Sequence, residues 1–122
     1  MPASPAGALA VNADVLTPAR TPARLCELST DVRAALLLDE AGEAVGLAGG
    51  PAALVDEART LIAAAKRAAP GDPPEELEVQ FPWGAVYVVR GARWTLAAVA
   101  GRGSLSSLVR WDMRVLLSEV HQ

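Results

Sequence analysis

Val32-Arg33-Ala34-Ala35-Leu36-Leu37-Leu38-Asp39-Glu40-Ala41-Gly42 is the stretch that decides the fold. Val32, Ala34, Leu36 and Leu38 fall on one side of an extended chain and Ala35 and Leu37 on the other, so beyond Arg33 both faces are apolar. The run predicts a central strand covered on both faces. Asp39-Glu40-Ala41-Gly42 has turn chemistry, with Gly42 suited to a positive φ, and Glu43 to Leu47 returns as a short strand of small residues. A hairpin is expected.

Toward the C-terminus, Gly49-Gly50-Pro51 breaks the chain before a helix expected from Ala52 to about Ala68. Leu54, Ala58, Leu61, Ile62 and Ala65 recur at helical spacing to face the sheet, while Asp56, Arg59, Thr60, Lys66 and Arg67 gather toward the opposite side. Ala63, Ala64 and Ala68 are small enough for a second helix to approach closely. Pro70-Gly71-Asp72-Pro73-Pro74 reads as a linker loop. Three strands follow. Leu77, Val79 and Phe81 alternate with Glu78 and Gln80, Pro82-Trp83-Gly84 turns into Ala85 to Val89, and Arg90 to Arg93 turns again into Trp94 to Ala100. The alternating strand at Leu77 is the candidate sheet edge, and an edge strand can pair with its own copy. After Gly101-Arg102-Gly103, Ser104 is the expected N-cap of a last helix running to about Val120, with Leu105, Leu108, Val109, Leu116 and Val120 as its buried stripe. Asp112 falls within that stripe, where it would accept hydrogen bonds from neighbouring backbone N–H groups.

Toward the N-terminus, Thr21 followed by Pro22 reads as an N-cap and first helical residue of a short helix through Leu25 and Leu28. Met1 to Arg20 carries three prolines among Ala, Ser and Thr with little periodicity, the composition of a flexible tail. The expected organisation is a tail over 1–20 and a single α/β domain over 21–122.

Composition narrows the function. At 122 residues the chain supports one core, and 52% hydrophobic residues with a mean hydropathy of +0.26 suggest more apolar surface than a lone monomer needs. The net charge of −3 lacks the phosphate-neutralising excess of a nucleic-acid binder. Cys26 is the only cysteine, so there is no disulfide framework or thiolate cluster. Met1 to Ala10 lacks the pattern of a signal peptide, and no apolar run reaches the roughly 18 residues of a membrane span. The expectation is a cytoplasmic protein without membrane insertion.

No residue constellation suits catalysis. His121 is the only histidine and the penultimate residue, most simply a solvated side chain, so neither a zinc site nor a nucleophilic triad can be assembled from the usual groups. Asp39, Glu40 and Glu43 surround a turn, and Glu75, Glu76 and Glu78 read as charged gatekeepers of the edge strand. Gly46, Gly49 and Gly50, and Gly101 and Gly103 with Ser104, precede helices where an anion could sit, but neither set completes a dinucleotide or phosphate-loop fingerprint. Of the three tryptophans, Trp94 is expected at the core, while Trp83 and Trp111 could anchor a partner.

The order of elements, read with Val32 to Gly42 and with Leu108-Val109-Arg110-Trp111-Asp112-Met113-Arg114-Val115-Leu116-Leu117, resembles the roadblock family of dynein light chains and their bacterial relatives. The resemblance spans about Leu25 to Val120 and implies a profilin-like sandwich, order α-β-β-α-β-β-β-α, with helices on both faces of a five-stranded antiparallel sheet. It implies a homodimer that pairs the middle strand, here Leu77 to Phe81, with the long helices side by side, so that Leu77, Val79, Gln80, Phe81, Ala63 and Ala64 would form the interface. It further implies a non-enzymatic adaptor, without cofactor or metal, for a small Ras-like GTPase and for a sensor-kinase-like protein. Asp56, Arg59, Thr60, Lys66 and Arg67 would meet the GTPase. The alternatives are a small-molecule or anion sensor with its pocket at the Gly101 to Ser106 turn, and a pure dimerisation scaffold.

Overall fold

The computed structural model describes residues 15–68, 71 and 75–120, apart from the side chain of Leu54. Helix α1 spans Thr21–Leu28, strands β1 and β2 Val32–Leu38 and Ala44–Gly49, helix α2 Ala52–Ala68, strands β3 to β5 Glu76–Phe81, Gly84–Arg90 and Thr95–Gly101, and helix α3 Ser106–Glu119. The strands form one antiparallel sheet in the order β2-β1-β5-β4-β3. This is the expected five-stranded sandwich with helices on both faces. Among the described residues no helix is long and apolar enough to cross a membrane.

Strand period and helix period meet in two cores. Ala34, Leu36, Leu38, Val86, Val88, Ala97 and Val99 point to the face covered by Ala58 and Ile62 of α2. Ala35, Leu37, Ala85, Tyr87, Val89, Leu96, Ala98 and Ala100 point to the other, covered by Leu25 of α1 and by Val109, Met113 and Leu116 of α3. The expectation that β1 is apolar on both faces holds because α2 and α1 both pack over it.

The first hairpin closes through Asp39. Its Oδ1 accepts from the N–H groups of Ala41 and Glu43, each at 2.9 Å, and Gly42 adopts φ +85°. Asp39 is thus a turn-forming carboxylate.

Expectations about the helix ends and the buried stripe of α3 are corrected. Thr21 is the first residue of α1 and not its cap, because a 3-10 turn at Pro18–Arg20 leads into the helix and the Thr21 hydroxyl donates back to the Thr17 carbonyl at 2.8 Å. Buried Leu16 pairs in parallel with Val120. Ser104 does not cap α3. Its hydroxyl lies 2.8 Å from that of buried Tyr87, which needs a polar partner inside the core, and Leu105 occupies the cap position without a side-chain bond. Leu105 at the cap and Leu108 in α3 are 65% and 55% exposed, and Met113 takes the buried position between Val109 and Leu116. Asp112 is half-buried, and its carboxylate accepts no hydrogen bond among the described residues. Residues 1–14, the loop at Pro70 to Pro74 apart from Gly71, and His121 lie outside the described residues.

Candidate interaction surface

β3 forms an edge of the sheet, as the alternation of Leu77, Val79 and Phe81 implied. It pairs with β4 in an unbroken register over six residues, Glu76↔Val89 to Phe81↔Gly84, which leaves the other side of β3 a straight row of backbone donors and acceptors. The opposite edge, β2, is less suited to accept a strand. Its register with β1 shifts between Leu37 and Leu38, and Gly49 at its end has φ +73°, so that edge is bent.

Helix α2 packs mainly over β5 and β1. Leu77, Val79 and Phe81 are consequently half-buried where a fully covered sheet would bury them, and Gln80 is exposed. A shallow apolar pocket lies between Ile62, Ala65 and Lys66 of α2 and Leu77, Val88, Arg90 and Thr95 of the sheet. It shows which flank of α2 is turned to β3. At i, i+4 and i+7, Arg59, Ala63 and Lys66 share that flank. Asp56, Thr60 and Arg67 follow the crest, all exposed, with the Thr60 hydroxyl donating to the Asp56 carbonyl at 3.0 Å. Ala64 lies about 100° around the helix from Ala63, on the far flank with Glu57 and Ala68. The residues named for two interfaces are therefore sorted differently: Arg59 and Lys66 stand with Ala63 beside the edge strand, and Ala64 does not.

At the tip of the β3–β4 hairpin, Trp83 stacks on Phe81 with ring centroids 4.9 Å apart and planes 6° from parallel. Trp94 is half-buried against the core, and Trp111 is 59% exposed beneath the Arg114 guanidinium.

The side of β3 turned to α3 carries what sequence reading missed. Arg110 Nη1 lies 3.3 Å from Glu76 Oε1 and Arg110 Nη2 3.8 Å from Glu78 Oε1, while Arg114 Nη1 reaches Glu76 Oε2 at 2.5 Å. The two arginines are one helical turn apart and the two glutamates alternate along the strand, so both pairs project from single faces toward each other. Those spacings were visible in the sequence; that α3 and β3 stand side by side was not. Glu76 and Glu78 are thus tethered to α3, whereas Glu75 is exposed.

A polar cleft of about 290 Å³ opens at the Gly101 to Ser104 turn, bordered also by Gln80, Phe81 and Gly84. Its one hydroxyl, that of Ser104, is engaged by Tyr87. Cys26 is half-buried, and burial, with the Glu27 carboxylate as a lesser cause, pushes its thiol pKa upward. Among the described residues no group of three or more His, Cys, Asp and Glu side chains is placed to hold a metal ion.

This architecture, a five-stranded sheet with one long helix on one face, two helices on the other and an open middle-strand edge, is the roadblock fold. The Roadblock/LC7 domain of Streptomyces avermitilis superimposes with a TM-score of 0.64 at 20% identity, covering 84% of this chain and 92% of that one. MglB of Myxococcus xanthus gives 0.61 at 17% identity, covering 89% and 83%. The gliding protein MglB of Thermus thermophilus gives 0.61 at 19% identity, covering 80% of each chain. No protein-family model and no curated protein sequence matches the chain.

Proposed function

We propose that this protein is a homodimeric, non-enzymatic adaptor that pairs β3 with its own copy and presents the crests of two α2 helices to a small Ras-like GTPase. The observation that carries the dimer is the edge itself: an unbroken strand whose apolar residues Leu77, Val79 and Phe81 are left half-covered because α2 sits over β5 and β1. A second copy joined through β3 brings its own α2 alongside, with Ala63 allowing close approach and Arg59 and Lys66 at the rim. The GTPase is supported by the likeness in fold to MglB together with the roadblock resemblance of the sequence. Asp56, Thr60 and Arg67 on the crest are the contacts assigned to it, where charges set encounter rate and partner choice more than affinity.

Sedimentation analysis tests the dimer. The Arg90 N–H bond to the Glu75 carbonyl sets the ladder so that Leu77, Val79 and Phe81 bond β4 and Glu76, Glu78 and Gln80 turn their N–H groups outward. Gln80→Pro therefore removes an edge donor twice per symmetric pair and is expected to give monomers. Capture from a native lysate in parallel with GDP and with a non-hydrolysable GTP analogue tests the partner. A Ras-like GTPase enriched in one nucleotide state, and lost with Asp56→Arg/Arg67→Glu, is the expected result. No GTPase in either arm would refute the adaptor reading.

A further inference from the structure

Glu76, Glu78 and Gln80 share the face of β3 turned to α3, since their partners on β4 are Val89, Tyr87 and Ala85, all on that side of the sheet. Joining two β3 strands antiparallel about a two-fold axis places these residues of one copy opposite or diagonal to those of the other. Directly opposite side chains in such a pair are roughly 5 Å apart at Cβ, and like charges there oppose pairing. β3 holds two glutamates and no lysine or arginine, so the joined ribbon would carry four carboxylates on one face. The Glu76 and Glu78 side chains are only 27% exposed, so solvent and salt screen that repulsion incompletely.

Arg110 and Arg114 meet both carboxylates from above, from the next element over the same face, and leave the outer backbone edge of β3 open. We propose that these two arginines permit β3 to pair with its copy by neutralising that face, and that they bias the edge toward a second copy of this chain. A strand bearing carboxylates without its own pair of arginines would bring uncompensated charge to the same place and be disfavoured. The inference rests on the reading that β3 pairs with itself.

Sedimentation equilibrium across a concentration series tests it with four variants. Arg110→Gln/Arg114→Gln and Glu76→Gln/Glu78→Gln break the same intramolecular ion pairs, but only the first leaves bare carboxylates on the edge. The arginine variant is expected to raise the dimer Kd roughly tenfold, the combined size of two opposed like-charge pairs. The glutamate variant is expected to dimerise at least as tightly as wild type, and the quadruple variant to return to within about threefold of it. Equal weakening in both double variants would mean that the network merely braces α3 against β3, and would overturn the proposal. So would an unchanged Kd in the arginine variant while Gln80→Pro is monomeric, a result that leaves the strand-pairing reading intact. If wild type and Gln80→Pro have the same mass at every concentration, the strand-pairing reading fails and this inference falls with it.

Discussion

Gly49 ends β2 one residue before the chain leaves the sheet for α2, so its conformation sets where the candidate partner-binding helix begins. Its φ is +73°, and a Cβ built there would lie 2.1 Å from the Arg33 carbonyl oxygen, far inside any real contact. That same oxygen accepts the Gly50 N–H at 3.0 Å. Gly49→Ala therefore combines two costs: about 1–2 kcal/mol for a left-handed L-residue, and about 1 kcal/mol for a backbone hydrogen bond stretched as the carbonyl is pushed away. Gly42 supplies the internal control, because its φ is +85° but nothing lies within 4 Å of the missing Cβ. Gly42→Ala keeps only the conformational cost, and in both variants a less flexible unfolded chain offsets about 0.5 kcal/mol. The expected losses are about 1.5–2.5 kcal/mol for Gly49→Ala and about 1 kcal/mol for Gly42→Ala, against about 5–15 kcal/mol for a domain of this kind. Urea denaturation followed by tryptophan fluorescence, with all proteins at one concentration because self-association adds to apparent stability, measures both. Losses that agree within about 0.5 kcal/mol, near the resolution of the extrapolation, would show that the Arg33 carbonyl does not confine position 49.

Helix α3 offers a second contrast: Met113→Ala should cost about 2–5 kcal/mol as a cavity in a closed core, whereas Leu108→Ser should change stability by about 0.5 kcal/mol or less, and equal effects would contradict the packing. Because burial holds the Cys26 thiol protonated, it should react with a disulfide reagent at pH 8 more slowly than an unfolded control, with Glu27→Gln faster than wild type. The sign for stability follows: the unfolded thiol releases its proton above its ordinary pKa of 9.0 while the folded one keeps it, so this group makes no difference below that pH and lowers stability as pH rises past it. A denaturation series from pH 7 to 10, with Cys26→Ala as reference, reads that slope.

The fold was legible because its periodicities are clean. Two-sided apolarity marked β1, helical spacing of Ala58, Leu61, Ile62 and Ala65 marked α2, and one-sided alternation marked β3 as an edge. What escaped was decided by contacts distant in sequence. Ser104 has every local mark of an N-cap, yet Tyr87 claims its hydroxyl, because a buried phenol must be satisfied and a helix end at the surface can use water. Leu105 and Leu108 are as apolar as Val109, but α3 is rolled so that Arg110 and Arg114 reach the β3 glutamates, and that roll turns the two leucines outward. The ion pairs span 34 and 38 residues, a separation at which no local pattern speaks.

The same distinction governs the candidate surface. That Asp56, Arg59, Thr60, Lys66 and Arg67 face solvent follows from helical spacing alone. Which of them stand beside the edge strand depends on how α2 lies across the sheet, and the pocket shared by Ile62, Lys66, Leu77 and Val88 answers that. Reversing charge at Arg59 and Lys66 would perturb a β3-paired dimer and a crest-bound partner together, because in that dimer this flank meets the second copy. Asp56 and Arg67, about half a turn from the sheet, separate the two: their reversal should abolish partner capture while the sedimentation mass stays that of wild type. A simultaneous loss of mass and of capture in Asp56→Arg/Arg67→Glu would place the crest inside the dimer contact and reassign the partner to another face.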